Sequence, residues 1–344
     1  MSEKITIYDI AKEAQVSIAT VSRILTGSAP VNADTKKRVE NVMQKYNFRP
    51  NKLARNLSYQ RSMMIGVILP DITNPFFSTV FAEIQRYAMA HDYSLLLFNA
   101  MNNIQLESEG LAYLSRHQVD GLIFMGGRAD EISLPDQYQN ELMAFAAKVP
   151  TVIVGGLESE LVSVVRTDEN NGISQVVEHL ASLGHTRIGI LGGSAHISVT
   201  RNRQEGLGEA LQRLGLPIRK DWFINEGFSI ESGVKALELM LRLPEQPSAV
   251  IAINDLVALG ILKAARQHHI DVPRQLSLVG FDNVYLAEVS TPELTTVSHD
   301  YAALGQTIVD TIIQRMTGEA ISDAIIVPMQ LVVRGSSSHA PLMS

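Results

Sequence analysis

The chain has 344 residues, a hydrophobic fraction of 46% and no cysteine, which suits two or three packed domains and excludes disulfides, thiol catalysis and cysteine-ligated metal sites. No apolar run reaches the length of a membrane span, and the start, Met-Ser-Glu-Lys-Ile-Thr, lacks the basic-then-apolar order of an export signal, so a cytoplasmic protein is expected. The net charge of −7 hides an asymmetry: residues 1–61 carry 11 Lys and Arg against 5 Asp and Glu, the remainder 18 against 31.

A basic head on an acidic body is the charge pattern of a nucleic-acid-binding part joined to a regulatory one. In the head, Ile7, Ile10, Ala11 and Ala14 fall at helical spacing, and Thr6 with Asp9 three residues on forms an N-terminal capping pair. The pattern breaks at Gln15-Val16 and restarts at Ser17, a good N-cap, with Val21, Ile24 and Leu25 on one face. Two short helices with a tight turn predict a helix-turn-helix, whose second helix can enter the DNA major groove. Its groove side would carry Ser17, Ile18, Ala19, Thr20, Ser22 and Arg23: small or hydrogen-bonding residues and one guanidinium able to pair with guanine or phosphate.

Asn32 is an N-cap for a third helix over Asp34–Tyr46, where Val39, Val42, Met43 and Tyr46 close a small core and Asn47 ends the helix. Its Lys36, Lys37, Arg38 and Lys45 suit solvent or phosphates, which give affinity rather than sequence discrimination. Residues 50–61 form a short polar linker, too short to be a stable helix alone.

From Met64 the grammar changes. Apolar strand runs at 65–69, 93–99, 121–125 and 151–154 alternate with helices over 78–91, 105–117 and 136–147. A second series begins after Arg166-Thr-Asp, with helices over 171–183, 202–214, 231–242 and 256–268. Its strands lie at 187–191, near 222–226, at 249–252 and at 277–281. The alternation predicts two α/β lobes with parallel sheets and a ligand between them at the carboxyl ends of the strands.

The phrases Ala-x-x-Ala-x-Val-Ser-x-Ala-Thr-Val-Ser-Arg-x-Leu, Val31-Asn32-x-x-Thr35 and Arg49-Pro50-Asn51-x-x-Ala54-Arg55-x-Leu57 resemble the LacI/GalR family of bacterial transcription regulators. Asp71-Ile-Thr-Asn-Pro-Phe-Phe, Leu183-Gly-His-Thr-Arg-Ile-Gly, Asn254-Asp255 and Val279-Gly-Phe-Asp282 extend the resemblance over nearly the whole chain. It implies a small all-α helix-turn-helix head at 1–49, a hinge helix at 50–61 and a two-lobed, periplasmic-binding-protein-like (type I) core at 62–340. The N-lobe would take 62–164 and 293–324, and the C-lobe 165–292 and 325–340. It also implies a repressor that binds a pseudopalindromic operator as a homodimer and answers to a small ligand.

On that resemblance Thr6, Tyr8 and Asn32 join the groove-side residues at the DNA. Asn51, Ala54 and Arg55 flank Leu57, which would wedge into the minor groove. Asn74, Phe76, Phe77, Arg203, Phe228, Asn254, Asp282 and His299 would face the effector. Carboxylate, amide, guanidinium and ring faces together suit a polyol. Of the adjacent phenylalanines, at least one is expected in the core, and Asp255 is read as capping the helix it begins.

Two departures stand out. The family often has an acid after the fourth strand, where this chain has Gly155-Gly156. With Met125-Gly-Gly-Arg128 alongside, this suggests a roomier mouth, with Arg128 turned to an anionic or larger ligand. The family usually has Gly where this chain has Gln15 in the helix-turn-helix turn, and Gln tolerates positive φ less well. A sugar or sugar derivative is the first expectation, with a nucleobase or phosphorylated metabolite as the alternative. A freestanding sugar-binding protein would not need the basic head. No phosphate-cradling loop, nucleophile elbow or His-Glu-x-x-His motif points to an enzyme, and neither metal nor cofactor is expected. The tail lacks leucine heptads, so no coiled-coil tetramer is expected.

Overall fold

The computed structural model describes residues 5–26, 29–46, 48, 61–319 and 324–341. The chain divides into two units, Met1–Met63 and Met64–Ser344. In the first, α1 (Ile7–Glu13), α2 (Ile18–Thr26) and α3 (Ala33–Lys45) close over Ile10, Ala11, Ala14, Val21 and Val39. Each start is fixed locally. The Asp9 carboxylate accepts from the Thr6 backbone N–H at 2.8 Å and from its hydroxyl at 2.6 Å. The Ser17 hydroxyl accepts from the Thr20 N–H at 3.1 Å, and the Asn32 amide oxygen from the Asp34 N–H at 2.9 Å. Gln15 makes the turn at φ 52°, a left-handed conformation that glycine adopts at less cost. Asn47 lies outside the described residues, as do the hinge residues Asn51, Ala54, Arg55 and Leu57.

In the second unit the first lobe is built from β1 (Met64–Leu69), α4 (Pro75–Ala90), β2 (Ser94–Asn99), α5 (Ile104–Arg116) and β3 (Gly121–Met125). It continues with α6 (Asp136–Ala146), β4 (Thr151–Val154) and β5 (Ser163–Thr167). The second lobe has α7 (Glu169–Ser182), β6 (Ile188–Leu191), α8 (Ser198–Arg213), β7 (Phe223–Ile224), α9 (Ile230–Met240) and β8 (Ala249–Ala252). It is completed by α10 (Asp255–Gln267), β9 (Ser277–Asp282), α11 (Leu286–Val289) and β10 (Thr295–His299). The chain then crosses into α12 (Tyr301–Met316) and β11 (Ile325–Val327), and crosses again into β12 (Met329–Val332).

The first sheet has the order β11-β5-β4-β3-β1-β2 and is parallel throughout. The second has the order β12-β10-β9-β8-β6-β7, parallel except where β12 meets β10. Strands such as Gly121–Met125 and Ala249–Ala252 are buried along their whole length, as expected of parallel strands covered on both faces.

The lobe boundaries differ from the expected ones. β5 keeps the chain in the first sheet through Thr167, and β10, assigned by sequence to the N-lobe, pairs with β9 in the second sheet. Conversely, 325–327 belongs to the first sheet through β11–β5 pairing. The three crossovers therefore fall at 168, 300 and 328. α4 starts three residues before the expected point because Pro75 fits the first helical position, where its missing N–H costs nothing, and Asn74 caps it.

Candidate functional sites

The head presents Thr6, Tyr8, Ser17, Ile18, Ala19, Arg23 and Asn32 to solvent, while Thr20 and Ser22 are half-buried. Tyr8 is 66% and Ile18 42% exposed, a poor placement for large apolar side chains unless another surface covers them. Some of the polar groups already have local duties. Thr6 serves the α1 cap, Asn32 the α3 cap, and the Thr20 hydroxyl lies 2.9 Å from that of Ser17. Ser17, Ile18, Ala19 and Arg23 are all exposed, Ser17 capping the amino end of α2 and Arg23 standing in its last turn.

Between the two sheets a cavity of about 910 Å³ opens at the carboxyl ends of the strands, lined by both lobes. Its floor is a charged cluster. Arg203, from α8, donates through Nε to Glu169 Oε2 at 2.6 Å, reaches the Ile253 carbonyl through Nη1, and has Nη2 3.9 Å from Asp282 Oδ1. Its guanidinium also lies 3.9 Å over the Phe281 ring. Burial opposes the charge on Glu169, but the adjacent Arg203 outweighs it and holds the carboxyl below its ordinary value. Arg203 is likewise held above its ordinary value by Glu169 and Asp282 despite burial.

Asp282 closes β9 with φ 102°, a left-handed conformation that turns its carboxylate to His299 Nε2 at 3.2 Å. The Tyr301 hydroxyl donates to the Asp282 carbonyl at 2.7 Å. Phe76 lies against this group, its ring centroid 5.0 Å from His299, 5.1 Å from Phe77 and 6.1 Å from Tyr301.

The cavity wall thus brings together Asn74, Phe76, Phe77, Arg203, Phe228, Asn254, Asp282 and His299. Both phenylalanines are half-buried and line it, so neither is given up to the core. Several roles differ from those expected. Asn254, not Asp255, caps α10: its Oδ1 accepts from the Val257 N–H at 2.8 Å and its Nδ2 donates to the Phe228 carbonyl at 3.1 Å. Asp255 is buried, accepts from the Val284 N–H and the Thr296 hydroxyl, and is pushed well above the usual carboxylate range by burial and by Asp282. Asn74 likewise spends its amide oxygen on capping α4.

Arg128 lies at the cavity wall, but its guanidinium is already engaged within the first lobe. It is 1% exposed and donates to Glu107 at 2.7 Å, Glu141 at 2.8 Å, the Ser108 hydroxyl and two carbonyls. A buried guanidinium needs such neutralisation, so the residue ties α5 to α6.

The roomier mouth is not found either. A Cβ on Gly155 would meet Asp130 Oδ1 at 2.6 Å, and one on Gly156 would meet Ser198 Oγ at 2.7 Å. The space these glycines vacate is filled by Asp130 and Ser198, residues that sequence patterns do not connect. Asp130 accepts from the Gly156 N–H at 2.9 Å, and its pKa is pushed up to about 6 by burial, with Glu169 adding to it.

Glu169 was also missed. The signal was its position beside Asp168, at the start of the helix that follows the crossover. Among the described residues no group of three His, Cys, Asp or Glu could hold a metal ion, and no helix is long and apolar enough to cross a membrane.

The same architecture occurs in proteins of known role. Residues 6–51 match the bacterial regulatory proteins of the lacI family, and residues 177–337 a periplasmic binding protein-like domain. The catabolite control protein A of Priestia megaterium is 31% identical over 97% of this chain and 99% of its own. The HTH-type transcriptional repressor CytR of Escherichia coli K12 is 30% identical over 98% and 97%. The lac repressor dimer bound to operator and the anti-inducer ONPF superposes with a TM-score of 0.83 at 28% identity, covering 98% of this chain and all of that one. These relatives are transcriptional regulators rather than enzymes. The chain belongs to the lacI family of bacterial regulatory proteins.

Proposed function

We propose that the protein is a homodimeric, cytoplasmic repressor that binds a pseudopalindromic operator and is gated by a small ligand in the interlobe cavity. The observation that carries this reading is the pairing, in one chain, of an exposed face on α2 with a large cavity that joins charged groups to aromatic rings. Ser17, Ile18, Ala19 and Arg23 supply the face. Asp282, Arg203 and His299, together with the rings of Phe76, Phe77 and Phe228, line the cavity. In a bent complex, apolar contact by Ile18 and Ala19 would read base edges and the hinge Leu57 would wedge the centre.

Ligand closing the two lobes would bias the head between competent and incompetent arrangements, so each site changes the affinity of the other. A sugar or sugar derivative fits the first combination of hydroxyl-binding groups and ring faces. Three phenylalanines in the wall also suit the flat face of a nucleobase or nucleoside, which is the second reading.

The test starts with DNA selected from a random pool by the purified protein. A two-fold-related consensus, released by one chemical class of small ligand, is the expected result. A pool with no consensus, or release by no ligand, overturns the reading.

A further inference from the structure

We propose that residues 335–340 are a strap latched by His185 in its neutral form, and that acid opens the latch, freeing the strap from the amino end of the second sheet while Arg334 keeps its root in place. The latch lies at the amino ends of β8 and β9, whereas the cavity lies at their carboxyl ends, so the inference stands apart from the regulatory reading.

The strap is held by polar contacts. Ser336 has no exposed surface. Its hydroxyl donates to the Leu278 carbonyl at 2.6 Å and accepts from the Thr295 N–H at 2.8 Å, and its carbonyl accepts from the Leu278 N–H at 2.8 Å. The Ser338 N–H donates to the Ser277 hydroxyl at 3.0 Å, and the Ala340 N–H to the Leu183 carbonyl at 2.9 Å. In Gly335-Ser-Ser-Ser-His-Ala340 the one aliphatic side chain is a methyl group, so apolar burial adds little.

His185 joins the strap to the sheet. It is 1% exposed, and its Nε2 lies 2.9 Å from the Ser338 carbonyl and 3.0 Å from the Ser277 hydroxyl. A carbonyl only accepts, so Nε2 carries the proton, and Nδ1 takes the hydrogen of the Ser248 hydroxyl at 2.9 Å. These partners are all neutral. A second proton, on Nδ1, would put a full charge in a buried site and turn the Ser248 hydroxyl toward the Arg187 carbonyl, 3.4 Å away. Burial accordingly holds the imidazole below its ordinary value of 6.5, against the pull of the Ser338 carbonyl, and His179 and His339 add like charge.

Lifting the strap removes the Ser338 carbonyl and admits water to that edge of the ring, so the open form takes up the proton more readily. The latch is then at full strength above 6.5 and weakens as pH falls below it. Of the other charged groups on the surrounding elements, His179 of α7 meets the Ser337 hydroxyl at 2.9 Å and His339 is exposed. Arg187 faces Glu245 at 3.9 Å, and Asp271 and Arg274, before β9, face each other at 3.9 Å. At the root, Arg334 donates to the Leu294 carbonyl at 2.9 Å, Asn283 Oδ1 at 2.8 Å and Glu288 at 3.1 Å, contacts that involve no imidazole.

The test is hydrogen exchange of the full-length protein, read by mass spectrometry from pH 7.5 to pH 5.5 with the chemical exchange rate at each pH divided out. Protection of the Ser338 and Ala340 amides should fall at least about threefold, one proton setting a ceiling of about tenfold over that range, while peptides from β3 keep theirs. His185→Gln keeps a donor and an acceptor and does not titrate, so its strap should stay equally protected throughout. In the wild type the NMR signals of the His185 ring should shift over the same pH range as the protection is lost.

Unchanged protection at pH 5.5, or the same loss in His185→Gln, overturns the latch. A loss abolished by His179→Gln alone overturns the assignment to His185. If His185→Gln does not fold, the wild-type ring signals decide: a titration midpoint outside the range of strap release overturns the inference.

Discussion

Ser198, at the first turn of α8 in the second lobe, donates twice to Asp130 of the first: its hydroxyl reaches Oδ1 at 3.2 Å and its backbone N–H reaches the carbonyl at 2.7 Å. One residue along, Glu131 bridges Ile197 in antiparallel fashion, and one further, the Ile132 N–H donates to the His196 carbonyl at 2.9 Å. The lobes are thus clasped by main chain and side chain together. Glu131, Gly156 and Ser198 line both the large cavity and a smaller recess of about 310 Å³. The clasp is therefore a partition whose opening would join the two.

Loss of the clasp should open the cleft. A hydrogen bond such as that from the Ser198 hydroxyl contributes about 1 kcal/mol, so Ser198→Ala should shift the lobe equilibrium toward open by about fivefold. Gly156→Ala should do the same by steric means, since its Cβ would lie 2.7 Å from Ser198 Oγ. The chain has no cysteine, so spin labels on cysteines introduced at the exposed Gln137 and Glu205, one in each lobe, read the interlobe distance cleanly. An unchanged distance distribution in both variants would show that the contacts follow closure rather than hold it.

The clasp also has a pH signature. Asp130 sits at about 6 in the folded chain against 3.8 when unfolded, because burial disfavours its charge. Between those values the unfolded chain releases a proton that the folded chain keeps, so stability falls as pH rises from about 4 to about 6. Arg166 lowers and Glu169 raises the value, and both face the carboxyl. Relative to Asp130→Asn, which keeps an acceptor oxygen and carries no charge, the wild type should lose about 2 kcal/mol across that window. Melting curves at half-unit pH steps check this. A difference between wild type and variant that does not change with pH would assign the dependence to other groups.

Arg203 shows why a cavity residue tied into the fold is a poor probe of ligand binding. Removing it leaves Glu169, only 12% exposed at its side chain, as a buried charge without its partner. Arg203→Ala should therefore cost about 3–5 kcal/mol of stability, and its loss of ligand response would be ambiguous. Asp282→Asn, which retains the acceptor toward His299, should instead impair ligand response while lowering the melting temperature by only a few degrees. Denaturant unfolding of both variants separates them, and equal stability losses would contradict the role given to the Glu169 pair.

What could be read from the sequence was what is decided locally. The Thr6–Asp9 cap, the Ser17 restart and the Asn32 cap each involve residues two or three apart, and all three form. The long apolar strands of both sheets were equally plain, since burial on both faces leaves an unbroken hydrophobic run. β11 and β12 are three and four residues long, and β10 is apolar only in part, so their sheet membership depends on partners more than a hundred residues away or across a crossover. The site divides in the same way. Asp282 and Arg203 stand in recognisable phrases, whereas Glu169 meets Arg203 across 34 residues and Asp130 meets Ser198 across 68. Arg128 was misread because nothing near it in the chain announces Glu107 and Glu141.

The hinge gives the sharpest separation of DNA binding from ligand binding. Leu57 lies in a polar stretch, Asn-Lys-Leu-Ala-Arg-Asn-Leu-Ser, that has too few helix-propagating residues to fold alone. An apolar wedge between base steps is repaid by the contacts that bent DNA makes, so its removal should act on the operator and on nothing else. Leu57→Gly should weaken binding to the selected operator by at least about tenfold. Affinity for the ligand that releases the operator should stay within about twofold, because the cavity residues lie in a separate unit from 64 onward. Leu57→Ile, which keeps the apolar volume, should recover most of the operator affinity. Fluorescence anisotropy on labelled operator, set beside calorimetry with the ligand, reads both quantities on the same preparation. Parallel losses in the two measurements would mean that Leu57 packs on the body, and the wedge would have to be abandoned.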